Sequence, residues 1–263
     1  MTIGLIAIAI AVFVVSQLFV QAKEVDSGIA KLHLTFEEHS DNVWMVVFSP
    51  NDSSIASSSA EGRVFIWNQN DGSILQELKH PEGVPALAYS PDGKTLATGS
   101  YDGFLRLWNV SDGQLIKTFA DNVGVIWGLT YSPNGQNIVT GGRKGSVTLW
   151  DVSSGEMEAL KGHLEGDVWS IAFSPGNDQM VSAGHDHTIK VWDVPMKEVI
   201  HTIEDHAQAV VSVAYSLDGS MLASGSDDKT VKLWNTNDWS PVRTLRGGSE
   251  CIYGVTFSPD GKK

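Results

Sequence analysis

The chain has 263 residues, 42% of them hydrophobic, with 31 acidic against 18 basic side chains and a formal net charge of −13. That charge repels a phosphate backbone and argues against nucleic-acid binding as a main role. Cys251 is the only cysteine, which excludes an intrachain disulfide, a CxxC redox pair and a cysteine zinc site.

The amino-terminal segment has its own composition. From Ile3 to Val15 every residue is apolar or Gly, Leu18 to Val20 extend the run, and Val20-Gln21-Ala22 has the small-residue form of a cleavage site. Residues 1–22 are therefore expected to be a secretory signal peptide, which would export the protein. No Lys or Arg precedes Lys23, and the 18 residues from Ile3 to Val20 are just long enough to cross a bilayer, so an uncleaved membrane anchor is the alternative and a mistranslated leader the third. The absence of Cys near residue 22 excludes a lipoprotein. Residues 23–30 read as a linker.

From residue 31 onward the sequence repeats. Ser-Pro or its equivalent falls at Ser49, Ser90, Ser132, Ser174, Ser216 and Ser258, at spacings of 41, 42, 42, 42 and 42, and Trp67, Trp108, Trp150, Trp192 and Trp234 keep step. Such a period means stacked copies of one supersecondary unit. Each copy reads as four strands. In the first, large apolar residues alternate (Val46 and Phe48, Leu87 and Tyr89, Ile171 and Phe173) around small ones such as Ala88 and Ala172. A Pro-Asp-Gly or Pro-Asn-Gly turn follows at Pro91, Pro133 and Pro259, where Pro fixes φ and Gly supplies a positive φ. The second strand (95–99, 221–225) and a third ending in Trp (105–108, 231–234) come next. A turn such as Ser111-Asp112-Gly113 then leads to the fourth (115–119, 199–203). No repeat has a sustained helical period, so the fold class is all-β.

Strings such as GSYDGFLRLWN, GHDHTIKVWD and GSDDKTVKLWN, with SPDGKTLATGS before the first, resemble WD-repeat β-propeller blades of the G-beta type over about residues 31–263. The resemblance implies four-stranded antiparallel blades around a channel, about five complete and part of a sixth, an incomplete ring. It also implies that each blade is tied by a His before the first strand, a Ser or Thr on the second, an Asp in the next turn and the Trp of the third. The full set stands as His80, Thr98, Asp102, Trp108, then His163, Ser182, Asp186, Trp192, then His206, Ser224, Asp228, Trp234. Two blades depart: His39, Ser57 and Trp67 have Glu61 for Asp, and Thr140 and Trp150 have Asn122 and Lys144 for His and Asp. Those two are expected to be less rigid.

Ser, His and Asp together invite a catalytic-triad reading, but a catalytic set is needed once, whereas these recur and each ends on a Trp donor. They read as structural. His185, Asp186 and His187 form the one local cluster with metal-ligand chemistry; no further ligand is spaced to close the site, so no metal is expected. No glycine-rich phosphate loop leads into a helix, and no cofactor or small-molecule substrate is implied. Asn51-Asp52-Ser53 and Asn109-Val110-Ser111 fit the glycosylation acceptor, a tripeptide common by chance.

Residues 252–257 begin another blade, and Leu32, Leu34 and Phe36 read as a fourth strand without a blade of its own. The chain therefore reads as a piece of a longer protein, truncated within the propeller at the carboxyl end.

The resemblance also places the partner-facing side chains seven and five residues before the Ser of each Ser-Pro turn, and just before the network Asp. The inner positions are Trp44, Pro85, Trp127, Trp169, Val211 and Tyr253, with Asn42, Gly83, Val125, Asp167, Ala209 and Cys251 two residues earlier. The outer positions are Ala60, Tyr101, Arg143, His185 and Asp227. Four aromatics at one ring position can form a hot spot, or simply pack across the channel mouth. With Asp167 and Asp227 beside them, a basic or hydroxyl-rich peptide is expected. The expected function is a non-catalytic scaffold for a protein or peptide partner, touching a membrane only through residues 1–22. The alternative is a sensor or accessory module of a larger enzyme or signalling protein.

Overall fold

A computed structural model describes residues 35–120, 124–247 and 250–258. The proposed signal or anchor, the linker, Leu32, Leu34, Asn122 and the Pro259 turn lie outside them.

Twenty strands form five antiparallel sheets of four, each sheet following the chain order. The first is β1 (Val43–Phe48), β2 (Ser54–Ser59), β3 (Arg63–Asn68) and β4 (Ile74–Lys79). The second is β5 (Ala86–Tyr89), β6 (Thr95–Gly99), β7 (Phe104–Asn109) and β8 (Leu115–Ala120). The third is β9 (Ile126–Tyr131), β10 (Asn137–Gly142), β11 (Val147–Asp151) and β12 (Met157–Leu160). The fourth is β13 (Val168–Phe173), β14 (Gln179–Gly184), β15 (Ile189–Asp193) and β16 (Glu198–Ile203). The fifth is β17 (Val210–Tyr215), β18 (Met221–Ser226), β19 (Thr230–Asn235) and β20 (Pro241–Arg246). A 3₁₀ turn, Arg143–Gly145, is the only helical element among the described residues.

The Ser-Pro turns explain the first hairpin of each blade. Ser90 N–H reaches Thr95 O at 2.9 Å, its hydroxyl reaches Asp92 at 2.6 Å, and Gly93 adopts φ 67°. In the fourth blade Gly176 precedes Asn177, and Asn177 takes the left-handed place at φ 63°, which its short side chain tolerates.

The apolar core is a series of seams between blades. Leu105, Leu107 and Phe119 of the second blade pack on Ile126, Leu129, Ile138 and Trp150 of the third. Trp108, Trp192 and Trp234 close the other three seams in the same way. Inner strands meet in succession, β1 with β5, β5 with β9, β9 with β13 and β13 with β17, and among the described residues no comparable packing joins β17 back to β1. The described blades thus form an open arc. Fully buried aliphatic side chains contribute about 1.5–3 kcal/mol each relative to exposure, so the seams, rather than any one sheet, hold the arc together.

Both ends differ from the strands read in the sequence. Phe36 belongs to no strand, yet its ring packs 4.7 Å from that of Trp67, standing three residues before His39 as Leu160 and Ile203 stand before His163 and His206. Residues 250–258 make no ladder, because the described chain offers them no partner strand. They still dock as an inner strand would: Val255 N–H donates to Ser212 Oγ at 3.1 Å, repeating the bond from Val213 N–H to Ser170 Oγ, also 3.1 Å.

Candidate functional site: the channel face and the networks beneath it

The hydrogen-bond networks hold the loops that carry the face. In the fourth blade His163 bonds Asp186 through Nδ1 at 2.8 Å and Ser182 through Nε2 at 2.7 Å, and Trp192 Nε1 donates to Ser182 at 2.8 Å. The fifth repeats this with His206 to Asp228 at 2.8 Å, to Ser224 at 2.7 Å, and Trp234 to Ser224 at 2.9 Å. Burial alone would raise the Asp228 carboxyl, but the Thr230 hydroxyl and His206 hold it well below the ordinary range. Burial lowers His206, with Asp228 opposing.

The second blade corrects the sequence reading. Asp102 does not reach His80. It is taken by Arg106, four residues on, through Nη1 at 3.1 Å and Nη2 at 2.7 Å. His80 keeps Thr98 at 2.8 Å, and Trp108 Nε1 donates to Thr98 at 3.0 Å, but the buried Nδ1 of His80 has no partner. The reason lies at the register position of Arg106, where the fourth and fifth blades have Lys190 and Lys232. A planar guanidinium offers a two-pronged match to carboxylate that a lysine cannot, and it captures the Asp. Burial, then the Arg106 charge, lowers the His80 pKa to about 4.

The first blade departs in the opposite sense. Glu61 substitutes for the missing Asp: His39 Nδ1 lies 3.1 Å from Glu61 and Nε2 lies 2.7 Å from Ser57, which also accepts Trp67 Nε1 at 2.8 Å. In the third blade the described part of the network is the bond from Trp150 to Thr140, at 3.0 Å.

The serine hydroxyls of these sets are enclosed. Ser182 and Ser224 have no exposed surface, and each is occupied by both a Trp and a His. Asp186 has both oxygens engaged, one by His163 and one by Thr188 at 2.9 Å, so it does not join His185 and His187, whose rings stand 6.5 Å apart.

A feature absent from the sequence reading sets the inner face positions. In four blades the inner strand carries a bulge, and the residue left over is the face residue. Val43 pairs Ser59 and Met45 pairs Ser58, leaving Trp44; the same shift leaves Trp127, Trp169 and Val211. An unpaired bulge residue bends the strand and re-aims its side chain. The second blade has Pro85 at this position, one residue before β5 begins, and Pro has no N–H for a ladder. Period two fails at these points, and no signal in the sequence other than the interrupted alternation marks them.

The outer positions are pinned by backbone. Ala60 N–H donates to Asn42 O at 2.9 Å, Tyr101 to Gly83 at 2.9 Å, His185 to Asp167 at 2.8 Å and Asp227 to Ala209 at 3.0 Å. The third blade differs, since Arg143 enters the 3₁₀ turn and stands exposed.

Trp44, Tyr101 and Trp127 form one aromatic row: Tyr101 lies 6.5 Å from Trp44 and 5.4 Å from Trp127, edge to face. Trp169 pairs separately with His185 at 5.9 Å. Trp44, Tyr101, Trp127 and Trp169 are half-buried, His185 is exposed, and Tyr253 is 64% exposed.

Residues 30–68, 72–109, 113–151, 155–193 and 197–235 match the family model described as WD domain, G-beta repeat. From the second onward, each matched unit begins just before the outer strand of one blade and ends in the third strand of the next, so residues 72–109 contain β4 together with β5, β6 and β7. Compared with the curated proteins, the chain matches none.

Proposed function

Because the chain belongs to the WD-repeat family, whose propellers generally serve as protein-interaction scaffolds, we propose that it is a non-enzymatic scaffold holding a protein or peptide on its channel face. The observation that carries this reading is the set of bulge-borne, half-buried tryptophans Trp44, Trp127 and Trp169. Large rigid aromatics give contact area at low entropic cost and dominate interface hot spots. Fold alone would not carry it. The enclosed Ser182 and Ser224 hydroxyls count against a hydrolase, since a nucleophile must reach its substrate.

Export or tethering through residues 1–22 belongs to the same proposal and rests on their apolar run. Among the described residues no helix is long and apolar enough to cross a membrane.

The test is a pull-down with the full chain against a Trp127→Ala, Trp169→Ala double variant whose circular dichroism matches the parent. Partners lost only with the variant support the channel face. An unchanged set of partners reduces both tryptophans to packing and overturns the reading.

A further inference from the structure

We infer that the channel face is selective for a cationic side chain of its partner, seated on the row Trp44, Tyr101, Trp127; this deepens the proposed scaffold function and rests on it. The indole nitrogens of Trp44 and Trp127 are buried and lack a hydrogen-bond partner. What the two rings turn outward is therefore carbon and π-surface, not a donor. Such a surface has no donor or acceptor for a hydroxyl, whereas the ring quadrupole attracts a guanidinium or ammonium group, and more strongly once that group is desolvated. Tyr101 stands between the two indoles, 6.5 and 5.4 Å from them, so one cation can meet more than one ring.

The loops around the row carry the complementary charge. Four of the loops leading into inner strands put an exposed carboxylate shortly before the face residue: Asp41 before Trp44, Glu82 before Pro85, Glu165 before Trp169 and Glu250 before Tyr253. Among the described residues of these loops Lys161 is the only lysine or arginine. Burial, and after it the Asp41 charge, raise the Tyr101 hydroxyl. The cations of the turns between second and third strands, Arg143 and Lys144 of the third blade and Lys229 of the fifth, lie outside the first two blades, which carry Trp44 and Tyr101. Charges of this kind mainly raise the association rate and reject acidic competitors, while the aromatic seat supplies contact.

A random peptide display library panned on the full chain tests this. Expected is recovery of peptides with Arg or Lys at one fixed position, whose affinity falls about tenfold or more when that residue becomes citrulline or norleucine. The same peptides should fail on Tyr101→Ala and on Asp41→Asn at low salt, and keep binding to Tyr101→Phe, which retains the ring and guards against a folding defect. Peptides that depend on Tyr101 but carry no basic residue overturn the cation selectivity and leave the scaffold function standing. A library that yields no peptide dependent on Tyr101, Trp127 or Trp169 overturns both.

Discussion

Arg106 shows how one side chain redirects a repeated design. Its fork holds Asp102, and the His80 imidazole is left buried with an unpaired nitrogen. With a folded pKa of about 4 against an ordinary 6.5, the unfolded chain takes the proton first. Stability from this group is therefore full above about pH 6.5 and is lost as pH falls toward about 4, by on the order of 3 kcal/mol. Arg106→Lys should free Asp102 to reach Nδ1, raise the His80 pKa and reduce the acid sensitivity. Urea midpoints of parent and variant at about pH 7.5 and about pH 4.5 measure this, and equal losses in both proteins would show that Asp102 stays away. At this scale the sequence was only partly legible. His163, Ser182, Asp186 and Trp192 are joined as the resemblance to WD-repeat blades implied, because nothing nearby competes for the Asp. Asp102 was misjudged and the bond from Glu61 to His39 was not foreseen, because a one-dimensional motif records which residue types are present but not the reach of Glu or a rival guanidinium four residues away.

Strands and turns were legible because their causes are local. Alternation such as Ile171, Ala172, Phe173 and a turn such as Ser90-Pro91-Asp92-Gly93 each require only neighbouring residues, and β13 and the hairpin before β6 lie where these put them. The bulges were not legible, because they depend on the pairing register with the second strand and on the next blade. Gly128 shows the tightness involved: a Cβ there would lie 2.5 Å from the carbonyl oxygen of Trp169, the bulge residue of the following blade. Backbone cannot yield as a flexible side-chain end can, so Gly128→Ala should destabilise by about 1–3 kcal/mol and shift the Trp169 loop. Urea denaturation followed by tryptophan emission reports both effects. A variant as stable as the parent, with unchanged emission, would mean that the seam has slack.

Across the whole molecule, stability is distributed over seams that join nearest neighbours, as in other repeat architectures. A blade flanked on both sides should open less readily than the last described one, whose outer strand β20 is exposed at all six residues. Native-state hydrogen exchange should find the slowest amides in β6, β10 and β14 and the fastest strand amides in β20. Uniform protection across all five sheets would instead show one cooperative unit. The recurring unit of sequence and the recurring unit of structure are out of phase by one strand, since residues 72–109 supply β4 to the first sheet and three strands to the second. Like overlapping roof tiles, each copy brings its own joint to the copy before it. A duplicated or deleted copy would therefore lengthen or shorten the arc by one whole blade while every remaining seam kept the packing it already had, so the number of blades can drift over evolutionary time without a new interface having to arise.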